Sequence, residues 1–194
     1  MISIDKIKKL RRETGISLAE CKKALDVSKG DVEKAKEILS EKEKDFAVKK
    51  QERQVSAGII ESYIHSNKKV GVLLDIRCET DFVAKNKEFQ ELAHLLCLQI
   101  AAMNPLFLDS ESIPKDYLKQ KEKEWKLELE KEKKQKDLME KIIKGKIEKH
   151  KKEVCLLNQD FIKESEKTVQ DLLNEYISKL GENIIIEKFT RYRV

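Results

Sequence analysis

Apolar positions in the first forty residues recur at helical spacing in three short blocks. Ile4, Ile7 and Leu10 fall three apart, and Thr14-Gly15 ends that block, glycine supplying the positive φ that closes a helix. Ser17-Leu18-Ala19-Glu20 reads as a capping box, with Glu three residues after Ser, and Leu18, Cys21, Ala24 and Leu25 follow as one face. After a break at Lys29-Gly30, Asp31 can cap a third helix faced by Val32, Ala35, Ile38 and Leu39. Each face alone is too small to be stable, so the pattern predicts one miniature bundle over residues 1–42, a size that suits a docking module. Residues 43–56 are charged, with little periodicity, and read as a linker, partly helical.

The period changes at Ala57. GIIESYIH (58–65) and VGVLLDIRCE (70–79) are rich in β-branched and aromatic residues and predict two strands, with Ser66-Asn67-Lys68-Lys69 as a hairpin loop. From Asn86, NKEFQELAHLLCLQIAAMN is apolar nearly all round after Leu92, which predicts a central buried helix stopped by Asn104-Pro105. Ser110 or Ser112 ahead of Pro114 opens another helix, which runs into the charged segment KQKEKEWKLELEKEKKQK. Mixed-sign runs are solvated faces, so a helical arm is expected over about 115–150, with Trp125 its one residue in want of a partner. Leu138, Met139, Ile142, Ile143 and Ile147 form the stripe of a returning helix.

Val154 to Leu157 lead into a polar loop holding Phe161 and Ile162. Val169, Leu172, Leu173, Tyr176, Ile177 and Leu180 then give the clearest amphipathic helix in the chain, ended by Gly181. IIIEKFTRYRV reads as a third strand. The sum is an α+β fold: an N-terminal three-helix bundle, then a three-stranded antiparallel sheet packed with helices on one face, with a charged helical arm.

Composition narrows the class. Of 194 residues 40% are apolar, enough for a core, and the low counts of Gly (6) and Pro (2) favour helices over turns. The net charge of +5 comes with Lys and Glu interleaved, where a nucleic-acid binder segregates its basic residues, so no direct nucleic-acid contact is expected. MISIDKIKKLRRE has no apolar stretch of signal-peptide type, and no run reaches membrane-spanning length. Cys21, Cys78, Cys97 and Cys155 lie far apart without a CxxC, which suits buried thiols in a reducing compartment. The expectation is a cytoplasmic protein with no membrane contact.

Catalytic signatures are missing. No GxxxxGK[ST], GxGxxG or GxSxG occurs, and His65, His94 and His150 have no carboxylate at a recognisable spacing. Nothing converges on a catalytic constellation, so no enzyme, metal site or cofactor is expected and the chain should act by binding. One stretch stands out for that purpose. CETDFVAK (78–85) sets Asp81 beside Phe82 where a strand gives way to charge. The ring either folds back into the core or points outward to enter something else.

Three segments carry a resemblance. LRRETGISLAECKKALDVSKGDVEKAKEIL, CETDFVAKNKEF with an intact TDFV, and TVQDLLNEYISKLGENIIIEKFTRYRV are similar to the elongation factor Ts family, and KKEVCLLNQDF fits the segment before the last helix. The resemblance implies a guanine nucleotide exchange factor for elongation factor Tu. It implies a ubiquitin-associated (UBA)-like module at 1–42, a linker at 43–56, and a core dimerisation and exchange domain at 57–194. It makes Thr80, Asp81, Phe82 and Val83 the exchange loop, with Phe82 entering an apolar pocket of the GTPase near its metal; on residue chemistry alone, the Thr80 hydroxyl caps the turn and holds the pair outward. It places docking contacts of the module around Leu10, Arg12, Thr14, Gly15 and Ile16, although Leu10 and Ile16 could equally fill the bundle core. Longer relatives carry two copies of the strand–helix core and this chain carries one, which implies a homodimer and a two-plus-two complex with the GTPase. A scaffold or chaperone-like protein using the UBA-like module, and an RNA binder using the arm at 119–152, are the competing readings.

Overall fold

The computed structural model describes residues 3–14, 16, 18–50, 52–131 and 136–194, with side chains described except at 43–49 and 136–137. Gly15 and Ser17 lie outside the described residues, and with them the capping box expected at Ser17.

Three helices open the chain: α1 (Ile4–Thr14), α2 (Leu18–Val27) and α3 (Val32–Lys50). Leu10, Cys21, Ala24, Leu25, Ala35 and Leu39 form their buried core, and Ile7, Ile16, Val32 and Ile38 pack around it. Ile4 and Leu18, expected on the apolar faces, are instead exposed; both stand in the first turn of their helix, outside this cluster. Asp31 caps α3 as its sequence predicts, its carboxylate accepting from the N–H groups of Glu33 (3.1 Å) and Lys34 (3.2 Å). Lys29 and Gly30 take positive φ (54° and 85°), and the Gly30 N–H reaches back to the Leu25 carbonyl at 2.8 Å to close α2. Lys36 to Glu13 (3.0 Å) and Lys42 to Glu20 (2.9 Å) tie α3 to α1 and α2, and these hydrogen bonds hold both carboxyls below their ordinary range. Both pairs are solvent-exposed and add little stability. Because α3 continues to Lys50, helix takes up the first half of the stretch read as a partly helical linker.

The main sheet has the order β1-β2-β5, with β1 (Ala57–Ile64), β2 (Val70–Cys78) and β5 (Ile184–Arg193). The β1–β2 hairpin closes where the His65 N–H donates to the Val70 carbonyl (2.9 Å). Val194 N–H meets the Lys69 carbonyl (3.0 Å) at one end of the β2–β5 pair, and Arg77 meets Glu187 (3.7 Å) further along. Both pairings are antiparallel, as the strand pattern predicts. Alternation then sorts the faces. Val72, Leu74, Ile76, Cys78, Ile184 and Ile186 are buried, whereas Ile60, Ile64 and Leu73 are exposed on the opposite side.

Cα packing divides the chain into two compact units: one of Met1–Glu61, Asp75–Ala93 and Asp171–Glu187, the other of Ser62–Leu74, His94–Gln170 and Lys188–Val194. Helix α5 (Lys87–Met103) is the buried helix its sequence predicts, with Phe89, Leu92, Ala93, Leu96, Cys97 and Ile100 fully enclosed. In the second unit the fully buried Gln99 organises a feature that hydropathy did not reveal. Its amide donates to Gln159 Oε1 (3.1 Å) and to the Asp160 carbonyl (3.2 Å), and its Oε1 accepts from the Ile162 N–H (2.9 Å). These bonds fix an antiparallel pair, β3 (Asp160–Phe161) and β4 (Glu164–Thr168), in the segment expected to be a loop. Strand β4 reads ESEKT, with no apolar alternation to announce it.

The charged segment forms α6 (Lys115–Lys131) and α7 (Lys136–Val154), which lie antiparallel around Leu129, Met139 and Ile143. Leu138 falls off the predicted stripe and is exposed. Trp125 finds its partner inside the arm, edge-on to His150 at 5.5 Å, and His150 also accepts or donates a hydrogen bond to the Tyr117 hydroxyl (2.9 Å). Helix α8 (Val169–Leu180) buries Val169, Leu172, Leu173 and Ile177 and ends at Gly181, whose φ is +76°. Among the described residues no helix is long and apolar enough to cross a membrane.

Among the described glycines, Gly58 has the closest neighbours. A Cβ there would lie 2.4 Å from the Ile76 carbonyl oxygen and 2.9 Å from Arg77 Cα. Gly58→Ala is expected to cost about 1–3 kcal/mol, the usual penalty of overpacking. Thermal unfolding reads this as a lowered midpoint; an unchanged midpoint would mean the strands do not approach so closely.

Candidate partner-docking site

Residues 81–84 form a single helical turn, α4 (Asp81–Ala84), directly after β2. Thr80 precedes it in extended conformation (φ −131°, ψ 155°), and its hydroxyl accepts from the Val83 N–H at 3.4 Å. The predicted cap is therefore in place. Ala84 is buried and anchors the turn to the body. Two residues along a helix correspond to about 200° of rotation, so a turn that buries Ala84 drives Phe82 outward. Phe82 is 90% exposed, and of the two orientations the sequence left open the ring takes the outward one. Asp81 is exposed beside it, and among the described residues its carboxylate makes no ion pair. Val83 is half-buried, nearer an anchor than a contact.

The turn is held from the far end of the sequence. Glu182 stands just after Gly181, and its carboxylate accepts from the Thr80 N–H (3.0 Å) and from the Thr80 hydroxyl (2.6 Å), a residue 102 positions away. The bond pattern is returned in kind. The Asn183 N–H donates to Glu79 Oε1 (2.7 Å), so each segment's carboxylate binds a backbone N–H of the other. Asn183 Nδ2 donates to the Arg53 carbonyl (2.9 Å), Arg53 pairs with Glu79 (3.5 Å), and Lys50 at the end of α3 donates to the Gly181 carbonyl. Hydrogen bonds to charged groups are about twice as strong as neutral ones, so this clasp is a stiff support for an exposed turn.

Cys78 closes the base of the turn. Its thiol is fully buried and donates to the Thr80 carbonyl at 3.2 Å. Burial, and then the negative charge of Glu182, push it from 9.0 up to about 11. It stays protonated at neutral pH, as a packing group and not a nucleophile.

In the N-terminal module the predicted contacts separate by burial. Leu10 is fully buried and belongs to the module's own core, which takes its side chain out of reach of a partner. Ile16 packs against that core while half-buried, and Thr14 Oγ1 donates to the Leu10 carbonyl (2.9 Å) and accepts from the Ile16 N–H (3.4 Å). Arg12 is exposed. Sequence reasoning missed Glu182, Glu79, Asn183 and Arg53. Gly181 signals a tight turn after an amphipathic helix, but no local pattern pairs that turn with residues 79 and 80.

Among the described residues no group of three His, Cys, Asp or Glu side chains could hold a metal ion. A body that braces the exposed Phe82 ring beside the exposed Asp81 carboxylate, with a small bundle of three helices at its N-terminus, has the surface groups that docking on a partner requires. Comparison with known proteins gives the family. The family model for Elongation factor TS matches residues 16–194. The chain is 48% identical over 193 residues to Elongation factor Ts of Thermotoga petrophila, covering 100% of this chain and 96% of that protein. It is 47% identical to that of Thermodesulfovibrio yellowstonii, with the same coverage, and 45% identical over 192 residues to that of Thermoanaerobacter sp. (strain X514), covering 99% and 94%. The chain belongs to the elongation factor Ts family.

Proposed function

We propose that this protein is the guanine nucleotide exchange factor of elongation factor Tu, acting in the cytoplasm during translation elongation, and that Phe82 is its wedge. The observation that carries the reading is a 90% exposed phenylalanine on a capped, clasped turn. GDP is retained by a GTPase through backbone N–H groups, a lysine and Mg²⁺ around its phosphates. A factor speeds release by binding the nucleotide-free state better than the loaded one, and linkage makes the effect mutual. A thousandfold weakening requires about 4 kcal/mol of differential binding. Burying a Phe side chain supplies roughly 1.5–3 kcal/mol of it, provided the pocket opens only in the nucleotide-free state. Asp81 enters beside the ring and disturbs the ligands or water around the metal.

The module docks on the nucleotide-binding domain through the surface around Arg12, Thr14, Gly15 and Ile16, with Leu10 supporting that surface from within. A second copy of the chain covers the outer face of the sheet. Ile64, Leu73, Tyr192 and Val194 line an apolar groove there, and Tyr192 and Val194 are 68% and 98% exposed. An apolar face of this kind calls for a partner, and two-fold pairing of equal patches is the commonest closed solution.

Phe82→Ala should keep its thermal midpoint and lose at least about tenfold in the rate of fluorescent GDP release from elongation factor Tu, the scale set by losing a buried Phe. An unchanged release rate would remove the wedge. Deleting residues 1–42 should raise the factor concentration needed in the same assay, and an unshifted concentration would place docking elsewhere. Tyr192→Lys should convert a sedimenting dimer to monomer; a wild-type protein that sediments as a monomer at tens of micromolar, on the order of a weak transient contact, would contradict the pairing.

A further inference from the structure

Resting on the exchange reading, we infer that Glu182 is a positioning residue for that activity: its carboxylate holds the Thr80–Phe82 turn in the geometry that presents the ring. The inference starts from an asymmetry in how the turn is supported. Helix α4 has four residues and too few internal bonds to fix its own direction. Its intrinsic cap, from Thr80 Oγ1 to the Val83 N–H, is long at 3.4 Å. The short contacts come from Glu182, at 2.6 Å to the hydroxyl and 3.0 Å to the N–H of the same residue. One carboxylate thus fixes both the backbone and the side-chain torsion of the residue that caps the turn. Donating its proton to Glu182 also aims the Thr80 hydroxyl's lone pairs at α4.

Glu182 is itself held. Gly181 takes φ +76°, its N–H donates to Ile177 (2.9 Å), its carbonyl accepts from Lys50, and the next residue, Asn183, is fixed by Glu79 and Arg53. The support runs from the end of α3 through the 181–183 turn to the exposed ring. The Glu182 carboxylate binds Thr80, the residue that caps the turn, and acts on Phe82 through it.

A misplaced wedge and a partly unfolded protein leave different kinetic traces. A misplaced wedge still docks but releases GDP slowly at saturation. A partly unfolded protein is less concentrated in active form and reaches the full rate at higher total concentration. The test is therefore a titration of GDP-loaded elongation factor Tu with full-length wild-type, Glu182→Ala, Glu182→Gln, Thr80→Val, the Glu182→Ala/Thr80→Val double variant, and Phe82→Ala. Glu182→Ala should lower the maximal release rate about tenfold, the scale of a lost hydrogen bond to a charged group, with the half-saturating concentration moved by less than about twofold. Glu182→Gln keeps an acceptor for the Thr80 N–H and should recover part of the rate. In the Thr80→Val background, Glu182→Ala should cost clearly less than it does alone.

Phe82→Ala slow with Glu182→Ala at the wild-type maximum overturns the inference and leaves the exchange reading standing. So does a Glu182→Ala protein whose only change is in half-saturation, or a double variant whose losses simply add. Phe82→Ala at the wild-type rate overturns the exchange reading, and the role of Glu182 falls with it.

Discussion

Phe82 keeps its ring in water, where burial would gain roughly 1.5–3 kcal/mol. A chain free to relax at this point would fold the ring back onto its own body. The surrounding structure prevents that. Ala84 anchors one side of the turn, Thr80 caps its start, and the Glu182 carboxylate binds Thr80 from across the fold. The remainder of this unit reads as scaffolding for that constraint. β2 delivers the turn, the Gly181 turn delivers the carboxylate, and Lys50 at the end of α3 holds the Gly181 turn. In the exchange reading the exposed ring is a stored capacity for binding, realised only when another protein opens a pocket for it.

The same logic separates the two kinds of exposed apolar surface on the molecule. Phe82 is a single protruding side chain on a stiff turn, suited to entering a pocket. The groove of Ile64, Leu73, Tyr192 and Val194 lies on the exposed face of the sheet, suited to covering by a similar face. The charged arm needs neither explanation. Its apolar residues meet each other between α6 and α7, and Trp125 is satisfied by His150 within it.

Much of this architecture was legible because it depends on local periodicity. The 3.6 period of α8, the alternation of β2 and the Asp31 cap each follow from neighbours in sequence, and the Thr80 cap follows from a hydroxyl ahead of a polar turn. What escaped depends on polar groups meeting over long separations. Gln99 sits among leucines and reads as part of an apolar helix, yet its amide builds the β3–β4 pair. Glu182 reads as an ordinary acid after a helix-ending glycine, yet it secures the turn that carries Phe82. Burial also redistributed residues that periodicity treats alike: Leu10 went into the module core, and Ile4, at the same spacing, stayed in solvent.

The orientation of the Phe82 ring, before and after docking, can be observed directly. Position 82 can carry 4-fluorophenylalanine and be followed by fluorine NMR in the free protein and with elongation factor Tu, GDP-loaded and nucleotide-free. A sharp, solvent-accessible resonance is expected in the free protein, shifting and losing solvent access with the nucleotide-free GTPase. A resonance already shielded in the free protein, or one left unchanged by the nucleotide-free complex, would contradict the wedge.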